Sequence, residues 1–113
     1  MQTAFSIRNV NFFTNHPAPG VVTLEVNFQV FNNGPSHVAG LAVTTDFWIT
    51  SAVVPAKFQS FGVGFENWKA VYQLSGVSSV TFEFAVFCDD FGGNDAVPRI
   101  WNTNGGTRFR ATA

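Results

Sequence analysis

The sequence predicts an all-β protein, an immunoglobulin-like antiparallel β-sandwich, and three observations carry that prediction. Leu24, Val26, Phe28 and Val30 alternate with Glu25, Asn27 and Gln29, the two-residue period of a strand with one buried and one wet face. Val80, Phe82, Phe84, Val86 and Cys88 alternate in the same way with Thr81, Glu83, Ala85 and Phe87. No segment carries a helical period with capping residues, whereas turn signals recur at short intervals between the apolar runs, the pattern of several short strands packed as two sheets.

The remaining elements follow in order. Residues Phe5 to Phe13 read as a first strand, closed by a turn over Thr14-Asn15-His16-Pro17-Ala18-Pro19-Gly20 with its two prolines and glycine. Asn32-Asn33-Gly34-Pro35-Ser36 ends the strand that contains Leu24 to Val30, and Val38 to Thr45 returns as another, ending in Asp46-Phe47-Trp48. From Ile49 to Gly64 the pattern weakens: Ile49 to Val54 fits a strand or an extended loop, Pro55 interrupts it, and Gly62 and Gly64 imply a bend. Glu66 to Leu74 reads as a strand with Trp68, Ala70, Tyr72 and Leu74 on one side, followed by a Ser75-Gly76 turn. Trp68 and Tyr72 share parity on this strand and read either as a second aromatic platform or, in preference, as packing inside the sandwich. The stretch Trp101-Asn102-Thr103-Asn104-Gly105-Gly106-Thr107-Arg108-Phe109 sets strand-like flanks around a tight turn, since Asn and Gly tolerate φ > 0. It reads either as a hairpin turn whose Trp closes the core, or as a wide ring beside amides, suited to a ligand flat and apolar on one face and hydroxylated at its edges. A sugar ring is such a ligand.

Composition bounds the function. The 113 residues suffice for one domain, 1–113, and 46% are apolar against 12% charged, which makes a globular chain and not a disordered one. Fourteen phenylalanines exceed what a core of this size uses, so some rings are expected at the surface. A formal net charge of −1 gives no basis for binding nucleic acid. No apolar run approaches the roughly 20 residues of a membrane-spanning helix. The N-terminus lacks the basic and apolar blocks of a secretory signal, so a cytoplasmic location, or secretion without a visible signal, is expected. Cys88 is the one cysteine and reads as a buried thiol.

Catalytic patterns are lacking. His16 and His37 sit in turns without a carboxylate or nucleophile partner, and Glu25, Glu66 and Glu83 are not paired for glycosidic chemistry. There is no nucleophile elbow, phosphate-cradling glycine loop or zinc-ligand cluster, and no cofactor or metal is implied. The loop Asp89-Asp90-Phe91-Gly92-Gly93-Asn94-Asp95 concentrates hard oxygen ligands, but its spacing is not that of an EF-hand and it reads as a solvated loop. The chain is expected to be non-catalytic.

Two blocks of the sequence resemble one family. The first is Phe28-Gln29-Val30-Phe31-Asn32, followed by Val38 and by Leu41-Ala42-Val43-Thr44-Thr45-Asp46-Phe47-Trp48; the second is Glu83-Phe84-Ala85-Val86-Phe87, followed by the 101–109 stretch. Together, from about Val22 to Phe109, they resemble carbohydrate-binding module family 21, the starch- and glycogen-binding domains of fungal glucoamylases and of glycogen-targeting phosphatase subunits. Asn32, Thr44, Asp46 and Trp48 fall in register with the family's first block, and Trp101, Asn102 and Asn104 with its second. The sequence departs from the pattern at His37 and Ala42, where the family is basic, at Asn102, where it has Asp, and at Phe109, where it has Tyr.

The resemblance implies a non-catalytic module or small lectin for an α-glucan, with polysaccharide or oligosaccharide as partner. Trp48 and Trp101 are implied as stacking platforms and Asn102 and Asn104 as hydrogen-bonding partners. Asp46 either accepts a sugar hydroxyl or caps the turn before Trp48. Phe109 is expected in the core. The competing expectation is a sandwich that serves as an interaction, defence or immunomodulatory protein and self-associates as a homodimer through a sheet edge, its sugar binding altered or lost.

Overall fold

A computed structural model describes residues 6–31, 37–77, 79–90 and 100–113, with the backbone alone of residues 37, 89, 90 and 100. The described residues form nine strands: β1 (Ser6–Ala18), β2 (Val21–Phe31), β3 (His37–Thr44), β4 (Ala52–Pro55), β5 (Lys57–Gly62), β6 (Phe65–Ser75), β7 (Thr81–Asp90), β8 (Ile100–Asn102) and β9 (Phe109–Thr112). One sheet has the order β1-β2-β6-β5; the other has β4-β3-β7, with β8 and β9 both on the far side of β7. The strand pairings are antiparallel. The all-β antiparallel sandwich expected from the alternation is what forms.

The core lies between the sheets because each alternating run turns its apolar parity inward. Val22, Leu24, Val26, Phe28 and Val30 of β2 and Trp68 and Ala70 of β6 meet Leu41 and Val43 of β3 and Phe82, Phe84, Val86 and Cys88 of β7. Tyr72, Leu74 and Phe109 pack against this cluster, with Phe109 stacked on Phe84 at 5.3 Å between ring centroids. The Cys88 thiol is buried.

Three expectations are corrected. The turn expected over Thr14 to Gly20 is much shorter: β1 runs to Ala18 and only Pro19-Gly20 turns, with Gly20 at φ 74°. Pro17 is tolerated because β1 is the outer strand of its sheet and the pairing slips between Asn15 and Ala18. The weak stretch 49–64 holds two short strands that belong to different sheets; β4 pairs β3 and β5 pairs β6. At the switch, Ala56 N–H donates to the Ala39 carbonyl at 2.8 Å.

The third correction concerns the 101–109 stretch, which is not a hairpin. Val86 pairs Asn102, and Phe84 pairs Phe109. The strands β8 and β9 therefore run collinearly along β7, and residues 103–108 loop out opposite the single residue Ala85. The acidic loop considered for a metal lies outside the described residues, apart from the backbone of Asp89 and Asp90, which extends β7.

Candidate functional site

The outer face of the β3–β7–β8 sheet is set by parity. Gly40 and Ala42 of β3 lie opposite Phe87 and Ala85 of β7, and Phe87 lies opposite Trp101 of β8; residues directly opposed in an antiparallel pair share a face. This face carries small or aromatic residues where a solvated sheet would carry polar ones. Phe87 is 3% exposed and Ala85 2%, yet both point away from the core. Gly40 makes room for Phe87: a β-carbon there would collide with the Val54 carbonyl oxygen and sit 3.0 Å from the Phe87 ring. Trp101 leans on Phe87 with ring centroids 5.4 Å apart, inside the range of favourable aromatic contact.

The excursion 103–108 forms one wall above Ala85. Its Asn104-Gly105 pair, at φ 53° and 69°, is bridged by Gly106 N–H donating to the Thr103 carbonyl at 3.1 Å, the arrangement of a type I′ turn with its preferred residues. Arg108 N–H donates to the same carbonyl at 2.8 Å and closes the loop. The second wall is the turn Asp46–Ile49. Ile49 N–H donates to the Asp46 carbonyl at 3.3 Å, and both central residues have positive φ, Phe47 at 57° and Trp48 at 68°. Those positions ordinarily take Asn and Gly, and bulky side chains there cost roughly 1 kcal/mol or more each.

Thr44, Asp46 and Thr50 hold this strained turn. The buried Thr44 hydroxyl accepts from Trp48 N–H at 3.1 Å and from Asp46 N–H at 3.3 Å, and donates to Asp46 Oδ1 at 2.7 Å. Thr50 donates to the Asp46 carboxylate twice, from its N–H at 2.9 Å and from its hydroxyl at 2.5 Å. The Thr50 hydroxyl and N–H, with the Thr44 hydroxyl, hold the Asp46 carboxyl below its ordinary value, because each stabilises the charged form.

The two walls enclose a trough of about 300 Å³, lined among the described residues by Ala42, Trp48, Ala85, Trp101, Thr103 and Arg108. Trp48 is 37% exposed and Trp101 45%, so each indole keeps a wet face. The Trp48 ring is contacted from two sides. Its Nε1–H reaches Glu83 Oε2 at 3.4 Å, and the Arg108 guanidinium lies 5.8 Å from its centroid, within cation–π range. Arg110 meets the other oxygen of Glu83 at 3.3 Å. Arg108 itself donates to the Gly106 carbonyl at 3.2 Å.

Of the residues nominated from sequence, the structure brings Trp48 and Trp101 to one trough. Asp46 lies behind it, with both carboxylate oxygens engaged in shaping the turn. Asn102 shares the face of Val86, the core side, where its Nδ2 donates to the Ile7 carbonyl at 2.8 Å and its Oδ1 accepts Asn104 N–H at 3.0 Å. Asn104 is exposed on the excursion, and its Nδ2 donates to the Arg108 carbonyl at 3.2 Å. Sequence reasoning missed Ala42, Ala85, Thr103 and Arg108 as lining residues. Parity offered a signal for one of them: once Glu83 and Phe87 face outward, Ala85 must lie between them.

Two predictions follow from the turn. Phe47→Asn, which places an αL-tolerant residue where a solvent-exposed ring now sits, raises stability by about 1 kcal/mol, read as a higher denaturant midpoint with unchanged slope. The Asp46 carboxyl is depressed below 3.8 in the folded state, so its contribution is complete above that pH and fades as pH falls through the lower folded value. Wild type therefore loses stability relative to Asp46→Asn below about pH 3.8, measured by denaturation at stepped acid pH.

No protein-family model matches this sequence, and no curated protein matches it either. Solved structures do. The starch-binding domain of Rhizopus oryzae glucoamylase, determined with β-cyclodextrin and maltoheptaose, superposes with a TM-score of 0.58 at 14% identity, over 93% of this chain and 89% of that one. The carbohydrate-binding module of the muscle glycogen-targeting subunit of protein phosphatase 1 superposes with a TM-score of 0.55 at 17% identity, over 88% of this chain and 73% of that one. The chain has the β-sandwich fold of these starch- and glycogen-binding domains.

Proposed function

We propose that the protein is a non-catalytic carbohydrate-binding module whose trough takes an α-glucan. The observation that carries this reading is the placement of two half-exposed indoles along one trough with an alanine floor. A pyranose presents a C–H patch that removes apolar area from water on an indole face and meets the negative surface of its π-system. Thr103 and Arg108 supply a hydroxyl and guanidinium N–H groups at the edge, where ring hydroxyls need partners. The fold shared with the glucoamylase and phosphatase-subunit domains supports the α-glucan assignment. Asp46 acts by setting the Trp48 turn, and Asn102 and Asn104 by holding the 103–108 excursion. The carboxylates attached to the walls are committed elsewhere, Asp46 to Thr44 and Thr50, Glu83 to Arg110 and Trp48, which favours binding over hydrolysis.

A second reading, self-association through β5, is favoured by a specific feature. Each residue from Lys57 to Phe61 is exposed on this outer strand of its sheet, and the tilted rings of Phe58 and Phe61 meet at 4.7 Å between centroids. An unpaired outer strand that exposes aromatic rings is a template for pairing with a second copy.

Affinity electrophoresis in glycogen-containing gels tests the first reading. Covering on the order of 80 Å² of indole is worth about 2 kcal/mol, a factor of about thirty in affinity. Trp48→Ala and Trp101→Ala should each lose about that much while keeping the unfolding free energy within about 1 kcal/mol of wild type; retardation equal to wild type in both variants overturns it. Sedimentation equilibrium tests the second. Wild type should dimerise with rising concentration and Phe61→Lys should remain monomeric; a wild-type monomer throughout removes self-association.

A further inference from the structure

The opposite sheet carries a second concave surface, of different chemistry. On its outer face a groove of about 340 Å³ is lined by the polar side chains of Asn9, Asn11, Asn27, Gln29, Ser60 and Asn67, and reaches the buried Phe28 and Trp68, whose rings belong to the core. Four of the polar side chains form a relay across all four strands. Asn9 Nδ2 donates to Gln29 Oε1 at 2.6 Å, Gln29 Nε2 to Asn67 Oδ1 at 3.1 Å, and Asn67 Nδ2 to the Ser60 hydroxyl at 3.0 Å. The donations run in one direction, from β1 through β2 and β6 to β5. Each primary amide has two N–H donors and two acceptor lone pairs, and the relay uses at most one donor and one acceptor of each. Half of the hydrogen-bonding capacity therefore remains for the groove.

Backbone irregularity brings the two end residues into line. The β1–β2 pairing slips between Arg8 and Asn11, with Asn9 at φ 55°, and the β5–β6 pairing slips between Phe58 and Ser60. Bulges re-aim side chains and concentrate near binding sites, and a left-handed non-glycine residue is strain that the surroundings must sustain. A sheet that needed only a polar surface would have no use for two such irregularities at opposite ends of one row.

We propose that this amide relay is a second saccharide-binding groove, which takes a neutral, hydroxyl-rich chain by hydrogen bonding without an aromatic platform. Charge argues for a neutral occupant, because Lys69, the charged residue lining the groove, lies 3.9 Å from the Glu25 carboxylate. Successive amides stand one strand spacing apart, about 4.8 Å, so a polymer laid across the strands meets a donor and an acceptor at each step. Hydroxyls, which both donate and accept, match such pairs, and a peptide ligand would instead satisfy its backbone at a sheet edge. With Trp68 only 7% exposed, the groove offers no wet indole face to desolvate, so it binds more weakly than the trough and discriminates by hydroxyl geometry.

The choice of α-glucan as probe rests on the function proposed above. Side-chain NH₂ groups give their own cross-peaks in ¹⁵N–¹H spectra, so the two surfaces are read separately in one titration with maltoheptaose. Wild type should show saturable shifts both at the Trp48 and Trp101 indoles and at the amides of Asn9, Gln29 and Asn67. In Trp48→Ala/Trp101→Ala the amide shifts should persist at millimolar ligand. In Gln29→Ala they should weaken about tenfold while the indole shifts remain. Indole shifts with unmoved amides overturn the second groove and leave the trough standing. Amide shifts with unmoved indoles overturn the trough and leave the groove. Silence at both sites overturns both.

Discussion

The Thr44 hydroxyl is the contact on which the trough depends. Two consecutive aromatic residues in left-handed conformations would relax to an ordinary turn if nothing opposed them. Opposition comes from a buried threonine at the end of β3, which accepts the N–H of Trp48 and orients the carboxylate of Asp46. That carboxylate then draws in Thr50 by two donors. The T-x-D-x-W spacing in 44–48 thus has a mechanical meaning: hydroxyl, carboxylate and N–H lie at the intervals that brace a tight turn and leave the indole projecting over the sheet. Asp46 contributes to the site by fixing where Trp48 stands.

The projection is useful only because the sheet beneath is stripped. An indole lying over a long side chain would be a plug; over Ala42 and Ala85 it is one side of an open space. Gly40 permits Phe87 to be buried on a face that would otherwise be wet, and Phe87 in turn supports Trp101. Buried outward-facing residues such as Phe87 and Ala85 are unusual on a solvated sheet. They pack beneath an aromatic surface, and that exchange costs the sheet some solubility while giving both rings firm footing.

Alternation made most of the fold legible. β2 and β7 declared both their existence and their inward parity, and Asn104-Gly105 announced a turn. The same parity could have placed Asn102: with Trp101 outward on a strand, its neighbour must point to the core. What hid this was reading Trp101 to Phe109 as a local hairpin, where all the polar residues would share one tip. The actual partner is β7, more than a dozen residues earlier, and a local pattern carries no record of a distant ladder. Phe47-Trp48 was opaque for another reason. Left-handed backbone is written in sequence by Gly and Asn, and here it is imposed on aromatic residues by Thr44 and Asp46. β4 and β5 were faint because each is short and lies at the outside of its sheet, where one neighbouring strand fixes the pattern in place of two.

The two indoles are held by different physics, which bears on how a ligand would meet them. Trp101 sits on a ladder residue paired with Phe87, so displacing its backbone requires breaking sheet hydrogen bonds, and turning its ring gives up an aromatic contact. Trp48 sits on a turn whose backbone is already strained, held by side-chain hydrogen bonds and by two polar contacts to its ring. Of the pair it has the lower barrier to adjustment, because sheet elements resist local opening more than loops do. If the proposed α-glucan binds, it would meet one ring set on a ladder and one set on a more adjustable turn. The Glu83 contact at the indole N–H and the Arg108 contact at its face limit that adjustment without locking it, since each is weaker than a ladder bond in water. The trough thereby divides between a sheet that sets the position of one ring and a turn that sets the position of the other.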